Sequence, residues 1–194
     1  MEKIVKEFTV FGIEELSVPA RNRAYYDWLG NSPYFYADEN RKTLEKFSSL
    51  FNVEIRDYSY GGNVGDYVRY SLLDETMEDL QGVRLATYIW NHVGEYLLHG
   101  KTYYKNGKKR ESKVFKVVDC PLTGYYLDME ILDPIVQFLE KPVEGYYGYE
   151  LIESCMNKWV EACSRYYEYS TSMEYFLEEC ALNEHRFLEN GKMF

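Results

Sequence analysis

Glu150, Glu153, Glu161 and Glu168 recur through a stretch, Tyr149 to Ser170, whose apolar residues are spaced for one long helix. At about 100° per residue, Glu150, Glu161 and Glu168 fall within about 20° of one another and Glu153 lies about 60° away. The opposite face carries Leu151, Ile152, Cys155, Trp159, Ala162, Cys163 and Tyr166, a stripe suited to burial. Carboxylates in a row on a rigid element can imitate a nucleic-acid phosphate track and occupy a channel lined by Arg and Lys, because such channels bind mainly through backbone charge. The next helical stretch, after Ser172, adds Glu174, Glu178 and Glu179. Tyr146 and Tyr147, with Tyr149, Tyr166, Tyr167 and Tyr169, can supply contact area for a protein partner. The competing reading is an ordinary solvated helix face, though such faces usually intersperse both signs and only Lys158 and Arg165 interrupt the acids here.

A second set of residues has the opposite charge. Lys105, Lys108, Lys109, Arg110 and Lys113 crowd the segment around Asn106 and Gly107, the strongest short-range signal for a hairpin turn, with Tyr103 and Tyr104 alongside. Cations mixed with stacking surface suit single-stranded nucleic acid. A lysine-protected edge hairpin is the structural alternative.

Other constellations point to structure. His92, Glu95 and His99 share a helix face at spacings compatible with metal ligands, but no third strong ligand cluster accompanies them, and His99 beside Gly100 suits a helix C-terminus. Gly61, Gly62 and Gly65 precede no GK[ST] run, so a turn is expected there and not a phosphate cradle. Cys120, Cys155, Cys163 and Cys180 have neither zinc nor disulfide spacing. No Ser, Cys or Thr lies in a nucleophile motif. Neither catalysis nor a metal or cofactor is expected.

The elements that must position these residues follow from periodicity. Ile4–Phe11 reads as a strand. A helix follows, capped by Ser17 and ended at Gly30, with Ala20, Ala24 and Trp28 inward. Next come a helix after Asp38 with Leu44, Phe47 and Phe51 as its stripe, and strands over 53–59 and 67–73 joined by a glycine-rich turn. Residues 75–98 read as one helix with Ala86, Trp90, Val93 and Leu97 on its buried face. The basic hairpin spans 101–118. A helix over 131–140 has Pro134 near its start, the acidic helix spans 149–170, and a shorter helix follows Ser172. A closing hairpin turns at Asn190 and Gly191. Strands and helices interleave without βαβ order, so the class is α+β: small antiparallel sheets or hairpins packed with five or six helices.

The 194 residues hold 32 acidic and 22 basic side chains, a net charge of -10. Residues 1–118 are balanced, with 17 of each sign, while 119–194 carry 15 acidic against 5 basic and so hold the entire excess. The chain therefore divides by charge into a mixed α/β part, 1–118, and an acidic, mainly helical part, 119–194, which share one core. Nearly half the residues are apolar and 21 are tyrosines, which excludes a disordered acidic chain. No apolar run approaches the roughly 18 residues of a membrane span, and MEKIVKEFTVF lacks the apolar core of a signal peptide, so a cytoplasmic protein is expected.

Three segments, FTVFGIEELSVPARNRAYYDWL, FKVVDCPLTGYYLDMEILDPIVQFLEKP and MNKWVEACSRYYEYSTSMEYFLEECALNEHRFLENGKMF, resemble a family of proteins carried by phages and conjugative elements of Gram-positive bacteria. Members often have a serine- and glutamine-bearing loop before a GDG-like turn, where this chain has YSYGGNVGDYVRY. The resemblance implies an anti-defence role of anti-CRISPR or antirestriction type. Combined with the glutamate ridge, it leads to the expectation of a non-enzymatic inhibitor of a host defence nuclease such as a CRISPR effector. The alternative is a nucleic-acid-binding accessory protein using the basic hairpin, which in either case can touch guide RNA or DNA.

Overall fold

The computed structural model describes residues 6–31, 34, 36–62, 64–105 and 108–194, and of residues 95, 96, 98–105 and 109–117 the backbone alone. In chain order the elements are a 3-10 turn (Ile13–Glu15), α1 (Val18–Asn31), α2 (Ala37–Phe51), β1 (Val53–Ser59), β2 (Tyr67–Leu72), α3 (Glu75–Asp79), α4 (Gly82–Leu97), β3 (Leu98–Lys105), β4 (Lys108–Val117), α5 (Leu127–Glu140), α6 (Gly148–Ser170) and α7 (Met173–Leu182). The class is α+β, with two separate antiparallel pairs, β1 with β2 and β3 with β4. Space divides the chain differently from charge: one compact unit is Tyr36–Arg165, and the other is built from the segments before and after it. Residue 118 falls inside the first unit, whose core joins Leu44, Phe47 and Leu85 to Ile131, Leu151 and Trp159.

In that unit, Leu44, Phe47 and Phe51 are the buried stripe of α2. Asn52 ends the helix in the left-handed conformation, its N–H donating to the Ser48 carbonyl, and the chain turns directly into β1. Register runs from Val53 opposite Leu72 to Ser59 opposite Tyr67, with an irregularity between Ile55 and Asp57. Tyr58 and Tyr60 stack parallel and each presents a ring edge-on to Trp159, at 5.2 and 5.7 Å. Trp159 is fully buried on α6 and donates its indole N–H to the Asn40 carbonyl at 3.1 Å, so one side chain ties together α2, the hairpin and α6.

A buried carboxylate organises the approach to α5. Asp128 accepts backbone N–H groups from Leu122, Thr123 and Gly124 at 2.7–3.1 Å, and the hydroxyls of Thr43 and Thr123 at 3.0 and 2.8 Å. α5 starts at Leu127, four residues earlier than its apolar pattern suggested, so Pro134 lies inside the helix. The helix expected over 75–98 is interrupted at Leu80 and Gln81, and α4 restarts at Gly82 with φ of 55°. Val93 and Leu97 are buried as expected, but in the first half of α4 Leu85 and Ile89 take the inward positions, whereas Ala86 is half-buried and Trp90 is exposed.

The other unit packs Ile13, Leu16, Ala20 and Ala24 against Phe176, Cys180 and Phe187. α1 runs through Gly30 to Asn31. Of the strand expected over Ile4–Phe11, residues 4 and 5 lie outside the described residues, 6–10 form no strand, and Phe11 makes a single bridge to Phe187. Phe187 also bridges Met193 across the turn at Asn190 and Gly191, so the closing hairpin is one bridge long. Gly191 is required there: φ is 86°, and a Cβ would stand 2.1 Å from the Ala20 carbonyl oxygen. Among the described residues, no helix is long and apolar enough to cross a membrane.

Candidate interaction surface

α6 buries the expected stripe, Leu151, Ile152, Cys155, Trp159, Ala162 and Cys163, with Tyr166 half-buried; Met156 and Val160 widen it. Its glutamates are not equivalent. Glu150 reaches back to accept the Tyr147 N–H at 2.8 Å, the carboxylate half of a capping box, where the helix dipole also favours it. Glu150 is therefore a helix-start residue before it is a surface charge. Glu153 and Glu161 are exposed, and among the described residues neither is in an ion pair. Of the interrupting cations, Arg165 pairs with Glu130 at 2.6 Å. Lys158 lines, with Glu161, Lys141, Phe138, Val143 and Tyr146, a groove of about 610 Å³ beside α5.

Tyr146 and Tyr147, expected as contact residues, are half-buried and have partners inside the unit. The Tyr146 hydroxyl is 2.6 Å from that of Ser154 and its ring packs on Phe138. The Tyr147 hydroxyl accepts from Gln81 at 3.2 Å and its ring stacks on the exposed Tyr149. Both tyrosines fasten the start of α6.

In the other unit, Glu168 is exposed at the end of α6, and Glu174 and Glu178 are exposed on α7. Ser172 caps α7, accepting the Tyr175 N–H at 3.1 Å, which fixes the direction of these carboxylates. Glu178 accepts a 2.9 Å hydrogen bond from the Tyr169 hydroxyl. That bond, and the charges of Glu178 and Glu174, push the Tyr169 pKa above its ordinary value. The same region holds a continuous row of rings that sequence reading missed: Tyr26–Tyr25 at 5.2 Å, Tyr25–Trp28 at 6.1 Å, Trp28–Tyr175 at 6.3 Å and Tyr175–Tyr169 at 5.4 Å. Its members come from α1, α6 and α7, so no single stretch of sequence displays it.

The basic hairpin forms as β3 and β4, with Lys105 opposite Lys108, Tyr104 opposite Lys109 and Tyr103 opposite Arg110. Lys113 lies in β4. Lys108 is exposed; the side chains of Lys105, Lys109, Arg110 and Lys113, and the turn at Asn106 and Gly107, lie outside the described residues.

The group closest to acid–base chemistry lies elsewhere. Tyr88 donates a short hydrogen bond to Asp74, and its ring stacks on His92 at 4.0 Å beside a pocket of about 160 Å³. The bond to Asp74 raises the Tyr88 pKa to about 12, making it a poorer acid. Burial pulls the Asp74 pKa upward, but hydrogen bonds from Tyr88 and from the Met77 and Thr76 N–H groups outweigh it and leave the carboxyl below its ordinary value. Asp74 also caps α3, accepting the Met77 N–H at 3.0 Å. Among the described residues, no three His, Cys, Asp or Glu side chains are grouped to hold a metal ion; the side chains of Glu95 and His99 lie outside them. Cys155, Cys163 and Cys180 are buried, and burial raises their thiol pKa values, that of Cys180 to about 11. These thiols pack in the cores, and burial disfavours the thiolate through which a cysteine reacts.

Compared with protein-family models, with curated proteins and with solved structures, the chain matches none.

Proposed function

We propose that the protein acts by binding, as a non-enzymatic inhibitor that sets surface carboxylates against the cationic nucleic-acid channel of another protein. A host defence nuclease, such as a CRISPR effector or a restriction enzyme, is the partner class to which the sequence resemblance points. The observation that carries the reading is that four of the glutamates are held in no ion pair among the described residues. Glu153 and Glu161 in one unit, and Glu168 and Glu174 in the other, are exposed without an ion-pair partner among the described residues. An uncompensated, helix-mounted carboxylate keeps its charge available to a partner's arginines and lysines.

The test is cleavage of target DNA by a purified defence nuclease, with and without the protein. Inhibition is expected to weaken as salt rises from about 50 to about 300 mM, and to be lost when Glu153, Glu161 and Glu168 are all reversed to lysine. Full inhibition by the reversed variant overturns the reading. Glu150 is left out of that variant because its loss disturbs the helix start.

The register of β3 and β4 favours a second reading, in which the hairpin grips nucleic acid. It pairs two tyrosine positions with two cationic ones beside the tip. A mobility-shift titration at low salt decides it: no shift with single- or double-stranded probes eliminates the hairpin as a binding site.

A further inference from the structure

We infer that the row Tyr26, Tyr25, Trp28, Tyr175 and Tyr169 is a docking strip for an arginine-bearing segment of a protein partner. This rests on the proposed function and names the chemistry of the partner that meets the second unit. The row has a fixed inner side. Trp28 and Tyr25 pack on the fully buried Phe176 at 5.2 and 5.8 Å, and the Tyr25 hydroxyl is bound to the Thr171 carbonyl at 2.6 Å. Its two ends are open: Tyr26 is 67% exposed and Tyr169 is 46% exposed. Large rings held rigidly at a surface lose little entropy on contact, which is the usual property of interface anchors.

Charge selects the occupant. An aromatic row alone suits nucleic-acid bases as well as a protein. Here Glu178 is hydrogen-bonded to the ring at one end, and Glu174 is near enough to act on the same hydroxyl. Carboxylates beside the rings repel a phosphate backbone and attract a cation. Arg23 is exposed on α1, but Arg21 is spent on the carbonyls of Ile13 and Glu14. Arginine fits the combination better than lysine: its flat guanidinium stacks on a tyrosine or tryptophan face while its edge donates two hydrogen bonds to a carboxylate.

The test uses the full chain and fluorescence anisotropy with labelled hexa-arginine, hexa-lysine and oligouridine probes at about 150 mM salt. Hexa-arginine is expected to bind at least about threefold more tightly than hexa-lysine, from cation–π stacking at exposed rings. Tyr26→Ala with Tyr169→Ala is expected to erase that preference while leaving the helical circular dichroism unchanged. Glu174→Gln with Glu178→Gln is expected to weaken both peptides. Equal affinity for the two peptides, an undiminished preference in the tyrosine variant, or tyrosine-dependent binding of oligouridine overturns the strip. If reversal of Glu153 and Glu161 abolishes peptide binding while the tyrosine variant binds normally, the strip falls and the carboxylate reading stands. If no cationic probe binds, both fall.

Discussion

Thr43 of α2 donates a 3.0 Å hydrogen bond to Asp128 in the first turn of α5, and both residues are fully buried. The same carboxylate holds three successive backbone N–H groups, so removing it leaves these donors, and the buried Thr43 hydroxyl, without this acceptor. Asp128→Ala is expected to cost about 3–5 kcal/mol, and Thr43→Val about 1–2 kcal/mol, in urea denaturation. A cost below about 1 kcal/mol for Asp128→Ala would show that water replaces the carboxylate.

Two glutamates on α6 separate capping from surface charge. Glu150→Ala removes the acceptor of the Tyr147 N–H and is expected to lower stability by about 1 kcal/mol. Glu161→Ala is expected to change it by less than about 0.5 kcal/mol. Equal costs would contradict the distinction.

Glycine substitutions have opposite expected signs at two helical positions. At Gly148, the first residue of α6, a Cβ would stand 2.0 Å from the Met77 carbonyl oxygen, so Gly148→Ala is expected to cost about 2 kcal/mol or more. At Gly30, inside α1, a Cβ meets nothing within 4 Å, and Gly30→Ala is expected to stabilise by about 0.5–1 kcal/mol. Thermal melts of both variants give the comparison.

Alkaline pH tests the Asp74 and Tyr88 pair. An unfolded tyrosine loses its proton near about pH 10, whereas Tyr88 in the fold holds it to about 12. The folded state therefore binds the proton more tightly, and this contribution is complete below about pH 10 and lost as pH rises to 12. Tyr70, raised to about 12 by burial and by Glu153, acts in the same direction. A phenolate absorbance titration is expected to show late-titrating tyrosines, and Asp74→Asn to move one of them toward the ordinary value. No change on Asp74→Asn would contradict the assignment of the hydrogen bond as the cause.

What was legible in the sequence was local. The stripe Leu44, Phe47 and Phe51, the limits of β1 and the burial of Trp159 follow from periodicities set within a few residues. The antiparallel pairing of β3 with β4 follows from the strand patterns that flank a short polar stretch. On α4, Val93 and Leu97 were legible, but Leu85 and Ile89 take the inward places expected of Ala86 and Trp90, and the break before Gly82 does not register in apolar spacing. Asp128 was illegible for a different reason: an aspartate enters the core only when loop N–H groups and Thr43 converge on it, which is a tertiary event. The ring row is equally nonlocal, since Tyr26 and Tyr169 come from opposite parts of the chain. The hydroxyl partners of Tyr146 and Tyr147, Ser154 and Gln81, were illegible because composition does not reveal tertiary contacts.

The unit that carries the ring row closes only when the two outer stretches of the chain meet, because Ala20 and Ala24 pack with Phe176 and Phe187. On the ribosome, Ala20 and Ala24 emerge long before Phe176 and Phe187, the residues they pack against, whereas the segment between them carries its own core. The early α1 segment, with its apolar face and Trp28, must wait unpartnered until the last helix arrives. Chaperone dependence and sensitivity to premature termination should therefore concentrate in this unit, although it is the smaller share of the chain.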